Sequence, residues 1–384
     1  MRIAGMMSGT SFDAIDVAVA EFDQVGEVLH CRPYGMVSRR LDRPVRDRIA
    51  AVLPPNPTTV EQVCRLDTEL GQLFGAVAAE AIAEFGAVDL VVCHGQTVFH
   101  WVRERTAQGT LQLGSPAWIA EATGAAVLSD LRSRDISRGG QGAPLAPTLD
   151  DLLVLSDQVR RGALNLGGIA NISVRDPDLI GYDLGPANAL IDSAVAQATD
   201  GAERMDTGGR RAARGTVQPS LLARLLAEPY YALAPPKSTG KELFHPDYLA
   251  TMVDDHERPV LDDLVATLTE LTARLVADAC HRHQLAELAV SGGGAENPTL
   301  MGRISALCHP TTVRPFSDFG IPGPAKEAYL MALVGYLSWH GLPTTTDSAT
   351  GATAVLGSLT PGAGPLTLPT ESVPRPQRMI IDDQ

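Results

Sequence analysis

Two apolar stretches near the N-terminus, RIAGMM and DVAVAEF, flank a polar SGTSFD segment. The pattern predicts a β-hairpin whose turn is richer in serine, threonine and aspartate than a connector needs. From Glu61 to Phe85 the period changes, and Leu66, Leu70, Leu73, Phe74, Val77, Ala81 and Phe85 recur at helical spacing. That amphipathic helix is expected to pack against a sheet. DLVVCHGQTVFH, Asp89 to His100, begins as a buried strand and ends in a polar HGQT turn, the kind of position where α/β sheets present ligand groups. Thr110–Gly114 and Ala125–Asp130 read as further strands. Arg132 to Pro147, rich in Arg, Gly and Pro, reads as an ordered active-site connection between domains rather than as an element.

The second half restarts the plan of strand, glycine turn, strand. GALNLGGIANISV, Gly162 to Val174, is a strand pair around a glycine turn. It is followed by GYDLGPANALID, Gly181 to Asp192, read as a loop bounded by glycine and proline, and by a helix from about Ala189 to Thr199. Leu264, Val265, Leu268, Leu271, Leu275 and Val276 mark a second amphipathic helix. ELAVSGGGAENP, Glu287 to Pro298, is a strand running into a triple-glycine turn, and a last helix spans roughly Ala325 to Trp339. Beyond Leu359 the chain is rich in Pro and Gly, and its tail, residues 361–384, is expected to be partly disordered.

Composition narrows what these loops can serve. The 384 residues are 45% hydrophobic with mean hydropathy near zero, enough for a large core and for two domains or more. A net charge of −14 argues against nucleic acid or an anionic membrane as partner, since both require a basic surface. Five widely spaced cysteines without a CxxC pair indicate neither a disulfide framework nor a zinc site, and with no signal-peptide pattern or membrane-length apolar run a cytoplasmic location is expected.

The loops carry the candidate chemistry. In the first, Gly9 admits backbone N–H groups to an anion while Ser8, Thr10 and Ser11 add hydroxyls, which describes a phosphate cradle and also an ordinary hydrophilic turn. The turn at Gly167 and Gly168, with Asn165 and Asn171 beside it, is a second cradle candidate. The Gly292–Gly294 turn suits a backbone passing close to a planar ring or sugar, or a simple helix start. No GxxxxGK[ST] pattern occurs. Asp183 is either a base beside bound phosphates or a helix-capping carboxylate. His94 either orients a substrate or holds the HGQT loop by hydrogen bonds. Arg132, Arg134 and Arg138 either meet an anionic substrate or pair with acids, and His281 and His283 read as cations at a helix C-terminus.

Taken in order, GMMSGTSFDAID, CHGQTVFHW, TLQLG, GGQGAPLAP, NLGGIANIS, YDLGPANALID, PPKSTGKELF and SGGGAENP resemble the motifs of the anhydro-N-acetylmuramic acid kinase family over nearly the whole chain. The resemblance implies the α/β fold of the actin, hexokinase and heat-shock chaperone ATPase superfamily: two lobes, each a mixed sheet with flanking helices, around an ATP cleft. It places lobe I at residues 1–133 plus about 350–375 and lobe II at 134–349, with helices starting near Ala189 and Ala325 as the hinge pair. It further implies that Gly9, Thr10, Ser11, Phe12, Asp13, Ala14, Ile15 and Asp16 grip the ATP phosphates, that Gly167 and Gly168 form a second phosphate loop, and that Gly292 and Gly293 lie near the adenosine.

In that family water opens the 1,6-anhydro bridge of the sugar and the freed oxygen accepts the γ-phosphoryl group. Asp183 matches the base, and Gln96, Thr97, Gly185 and Glu327 match substrate positions, Glu327 taken alone being equally a residue that offsets a helix dipole; Lys237 to Gly240 resemble a loop closing over substrate, or form a solvated surface loop. Magnesium, its ligands unassigned, and a homodimer are implied as well. The chain departs from the family's common SGTSxDGxD and DTGPGN patterns at Ala14, Leu184 and Ala187. Leu184 removes a hydroxyl and Ala187 restricts the loop, which leaves open a kinase for another sugar. A nucleotide-driven conformational protein without sugar turnover is the more distant alternative.

Overall fold

The computed structural model describes residues 1–104, 106–155, 158–235, 237–240, 243–253 and 259–382, which divide into two compact units. Unit 1 comprises Met1–Leu153 and Ala325–Gln384, and unit 2 is the continuous insert Val154–Pro324.

In unit 1 the predicted hairpin forms from β1 (Arg2–Met7) and β2 (Ala14–Val25), and β3 (Val28–Arg40) extends the antiparallel meander. On the other side of β1, β4 (Leu90–Cys93) and β7 (Ala126–Ser129) add in parallel. A separate ribbon is made by β5 (Gln96–Arg103) and β6 (Thr106–Leu113). On β2, Ile15, Val17 and Val19 share a core with Leu66, Leu70, Phe74, Val77 and Ala81 of helix Val60–Phe85, as strand and helix periodicities require. The opposite face is covered by helix Lys326–Trp339. That helix is apolar almost all round because it is buried on nearly every side.

Unit 2 repeats the topology. Its meander is β8 (Arg161–Leu166), β9 (Ile169–Arg175) and β10 (Leu179–Pro186), with β11 (Glu287–Ser291) and β12 (Thr312–Pro315) parallel beside β8. The sheet order is β10-β9-β8-β11-β12 in unit 2, and β7-β4-β1-β2-β3 forms the same series in unit 1. In both, the turn between the first two strands is one of the predicted phosphate loops. Helix Leu261–Arg282 buries Val265, Leu268, Leu271, Leu275 and Val276 in the unit's core.

Two sequence expectations give way here. The unit boundaries fall at Leu153/Val154 and Pro324/Ala325 rather than at 133/134 and 349/350. Helix Lys326–Trp339 fills the centre of unit 1, and Lys326 is paired with Asp150 at 2.6 Å in its interior. The Arg132–Pro147 stretch is not an interdomain connection, since it holds the short helix Ser133–Ser137 within unit 1 and leads into helix Ala146–Leu153. Ahead of the tail, β13 (Ser358–Thr360) pairs with β7; within it, residues 361–377 form no helix or strand, β14 (Arg378–Ile381) closes the edge beyond β3, and residues 383–384 lie outside the described residues. No helix among the described residues is long and apolar enough to cross a membrane.

Asp135, fully buried, holds the first of these rearranged segments in place. Its carboxylate accepts from the Gly142 N–H and from the hydroxyls of Thr345 and Thr350, each at 2.7 Å. Asp135→Asn puts an amide donor against these donors and is expected to lower stability by about 1–3 kcal/mol. A fall in urea midpoint at unchanged slope would show it; an unchanged midpoint would contradict it.

Candidate active site

The first loop occupies residues 8–13, between β1 and β2. Gly9 leaves open space, with only Ser11 Oγ, at 3.8 Å, near an added Cβ. Thr10 and Ser11 are exposed, and Phe12 closes the turn in the left-handed region at φ 42°, its N–H donating to Gly9 O at 3.0 Å. Asp13 is exposed and lies 3.4 Å from Arg46. Ser8 departs from its expected role: it is buried and its hydroxyl donates to Gln96 Oε1 at 2.8 Å, not outward. Ala14, Ile15 and Asp16 belong to β2, so Ile15 packs in the core and only its backbone adjoins the loop. Asp16 accepts from Ser38 Oγ at 2.5 Å, yet burial holds its carboxyl above the ordinary aspartate value.

The second loop is pinned by backbone. Gly167 O accepts from the Asn188 N–H at 3.1 Å, and Gly168 O accepts from the N–H groups of Ala187 and Ala189 at 2.9 and 3.0 Å. These carbonyls therefore occupy N–H groups at the start of helix Asn188–Ala198. The triple-glycine turn packs against the end of β8. At Gly292, with φ 86°, an added Cβ would lie 2.6 Å from Asn165 Oδ1, and at Gly294 one would lie 2.7 Å from Leu166 Cβ. Two of the three glycines are thus required by packing; Gly293 alone faces open space.

Asp183 lies within β10 rather than on a loop, at a bulge between Asp183 and Gly185. The capping alternative falls away because the helix is preceded by Ala187. Asp183 Oδ2 accepts from Ser238 Oγ at 3.0 Å and from the Thr239 N–H at 2.9 Å. Its backbone is clamped too, the N–H donating to Lys237 O at 3.1 Å and the carbonyl accepting from Tyr230 Oη at 2.8 Å. Lys237 Nζ donates to the carbonyls of Tyr230 and Tyr231 at 3.1 and 3.2 Å and sits 4.5 Å above the Tyr230 ring. Burial, then Arg282, lowers its pKa, with Asp183 opposing. Lys237–Gly240 is therefore a brace for Asp183. Pro236, Lys241 and Glu242 of the same motif lie outside the described residues. The Thr239 hydroxyl is buried with no partner among the described residues. Tyr230 went unread in the sequence, where the PYYAL run offers only an aromatic pair.

Strand alternation resolves the departures at Leu184 and Ala187. Both are buried in the unit 2 core, 5% and 1% exposed, so a hydroxyl at position 184 would enter the core rather than reach a substrate. Ala187 stands directly before helix Asn188–Ala198, at φ −113° and ψ −99°, with its methyl group in that core. Gly185, at φ 152°, is demanded by the core instead, because a Cβ would lie 2.7 Å from the Tyr231 ring and 2.8 Å from Leu275.

In unit 1, Gln96 is 1% exposed and Thr97 half-buried, the Thr97 hydroxyl accepting from Gln112 Nε2 at 3.2 Å. His94 holds its loop. Its Nε2 faces the Arg132 Nε–H at 2.9 Å and so must accept, which leaves Nδ1 protonated and donating to Gly95 O at 2.9 Å. Burial, with Arg132 nearby, pushes its pKa down to about 3. Arg132 also donates to Gly142 O at 2.6 Å, and Arg138 donates to Thr353 O; Arg134 is exposed. Glu327, in the first turn of its helix, reaches solvent, yet the protein around it raises its pKa. Lys326 and Arg132 oppose that rise and Asp16 reinforces it. His283 is not merely a capping cation. It is buried between Tyr182 Oη at 2.8 Å and Asp176 Oδ2 at 2.7 Å, whereas His281 is exposed.

A family model described as anhydro-N-acetylmuramic acid kinase matches residues 1–362. A protein of that name from Rhodococcus erythropolis is 49% identical over 395 residues, covering all of both chains. Its namesake from Streptomyces coelicolor is 49% identical over 386 residues, covering 99% of this chain and 98% of the other. Among solved structures, a ROK hexokinase from Thermus thermophilus overlaps 87% of this chain and 98% of its own at 12% identity and a TM-score of 0.36. The protein is a kinase, a phosphotransferase with an alcohol group as acceptor. The chain belongs to the anhydro-N-acetylmuramic acid kinase family.

The neutral, buried His94 has a pH signature. The unfolded chain protonates it near 6.5 and the fold only at about 3, so between those values the unfolded state binds more protons and stability falls as pH falls. The slope reaches at most about 1.4 kcal/mol per pH unit. Denaturation across that window should show His94→Gln losing less stability on acidification than the parent; equal losses would contradict the assignment.

Proposed function

We propose that this kinase uses ATP and water to convert 1,6-anhydro-N-acetylmuramic acid into N-acetylmuramic acid 6-phosphate, with Asp183 as the base that activates the water. The observation carrying this reading is the pairing of one fixed carboxylate with one unspent hydroxyl. Ser238 and the Thr239 N–H hold Asp183 Oδ2, and the Thr239 hydroxyl beside them has no partner among the described residues.

The chemistry calls for such a group. Water attacks the anomeric carbon as the bridge opens with oxocarbenium character, and its proton passes to Asp183. The C1–O6 bond breaks, the freed O6 bonds to the γ-phosphorus, and ADP leaves. Thr97 and Glu327 are assigned to the sugar. The N–H groups of Thr10 and Ser11 in the first turn and of Gly167–Gly168 are assigned to the phosphates, the Phe12 N–H being spent on Gly9 O, and the open face at Gly293 to the adenosine. Gln96 and Gly185 are assigned structural roles next to the sugar groups, since the first is spent inside the protein and the second packs in the core.

Magnesium would offset the phosphate charge when bound. No cluster of three or more potential ligands exists among the described residues, which fits an ion carried by phosphates and water with one or two carboxylates. Asp13 and Asp16 are the carboxylates beside the first loop that would serve. Family resemblance extends the proposal to a cytoplasmic homodimer.

Turnover in oxygen-18 water with ATP, magnesium and the anhydro sugar should give a 6-phosphorylated product carrying one heavy oxygen. An unlabelled product would refute water attack. Asp183→Asn should lower turnover by about 10²–10⁴ while nucleotide affinity stays measurable; near-parental turnover would remove Asp183 from the mechanism.

A further inference from the structure

A single side chain joins the first phosphate loop to the HGQT loop. Gln96 starts β5, yet its amide is spent on its neighbours: Oε1 accepts from the Ser8 hydroxyl at 2.8 Å, and Nε2 donates to Gly9 O at 3.4 Å and to Thr97 O at 3.2 Å. Both amide hydrogens are thereby used. With 1% of its surface exposed, Gln96 cannot also donate to a ligand without releasing Gly9 or Thr97.

The grip on Gly9 has a directional effect. In a trans peptide the carbonyl and the following N–H point opposite ways, so a Gly9 carbonyl drawn toward buried Gln96 turns the Thr10 N–H away from it, toward the exposed side of the turn. The same carbonyl accepts from the Phe12 N–H, which closes a turn whose left-handed Phe12 is strained. Gln96 therefore helps hold open a loop conformation that the loop's own residues do not favour. The HGQT loop is anchored behind it by His94 on Arg132, which is tied to Gly142. A shift of either loop must be transmitted through Gln96 or break its bonds.

We propose that Gln96 is a positioning residue that couples the two substrates: it aims the Thr10 N–H at the nucleotide phosphates while its own loop presents Thr97 to the sugar, so that each ligand raises the affinity for the other. This rests on the functional reading above. The coupling is reciprocal, because a factor gained by one ligand is gained equally by the other.

Calorimetric titration of a non-hydrolysable ATP analogue with magnesium, alone and with saturating 1,6-anhydro-N-acetylmuramic acid, measures the factor. The parent should show a gain within the usual range of about 5–150-fold. Gln96→Leu should bring it to about 1, as should the milder Ser8→Ala, and the double variant should fall no further. Ser8→Thr, which keeps the hydroxyl, should retain the gain, whereas a merely structural role would weaken both binary affinities and leave the ratio intact. A parental ratio near 1, or an undiminished ratio in folded Gln96→Leu or Ser8→Ala, overturns the coupling alone. Failure of the parent to bind the nucleotide analogue or the sugar at all overturns the functional reading and the coupling with it.

Discussion

A carboxylate taken wholly out of water is tolerated only when donors surround it, and Asp135 sets that condition for unit 1. Its partners come from separate stretches of chain: Gly142 from its own loop, and Thr345 and Thr350 from beyond the inserted unit. Satisfying Asp135 fixes the 133–142 loop, and the fixed Gly142 carbonyl accepts from Arg132. Arg132, desolvated with its pKa lowered to about 10, needs His94 as an acceptor in turn. His94 then has one tautomer open to it, and the loop bearing Gln96 and Thr97 takes the position that tautomer allows. The geometry credited to the sugar loop therefore begins at a residue that touches no ligand.

The two units answer one problem by different means. Each presents a turn between the first strands of an antiparallel meander, in sheets of matching order. In unit 1 a glutamine side chain holds the turn carbonyl at Gly9, and in unit 2 the N–H groups at a helix start hold the carbonyls of Gly167 and Gly168. A side-chain brace depends on the loop that carries it, so it is the one suited to report on a second ligand. A backbone brace is indifferent to side-chain identity, and the second turn is correspondingly the plainer sequence of the two.

What was legible in the sequence was local. The first hairpin, helix Val60–Phe85, the strands before each glycine turn and helix Leu261–Arg282 follow from periodicity, which is set by residues a few positions apart. The unit boundaries were not legible, because they depend on bonds such as Lys326 to Asp150 and Asp135 to Thr350, whose partners lie far apart in sequence. Asp183 was misplaced onto a loop for a related reason. Gly181, Gly185 and Pro186 signal a break, but here they mark a bulge and a strand end. Gln96 read as a substrate group through the family resemblance, and only its neighbours in space reveal that its amide is spent. The roles of Ser238 and Tyr230 were hidden in the same way, since each is defined by Asp183, some fifty residues earlier in the chain.

The insertion of one unit into the other also orders events on the ribosome. Unit 2 is a continuous segment, complete in contacts once Pro324 has emerged. Unit 1 has by then exposed its sheet for the whole synthesis of the insert, with the face later covered by helix Lys326–Trp339 still bare. The later half of the chain's middle can thus fold before its beginning, reversing the usual N-terminal-first sequence. For that interval the face of β1 and β2 that the helix covers, Phe22 included, is left to solvent.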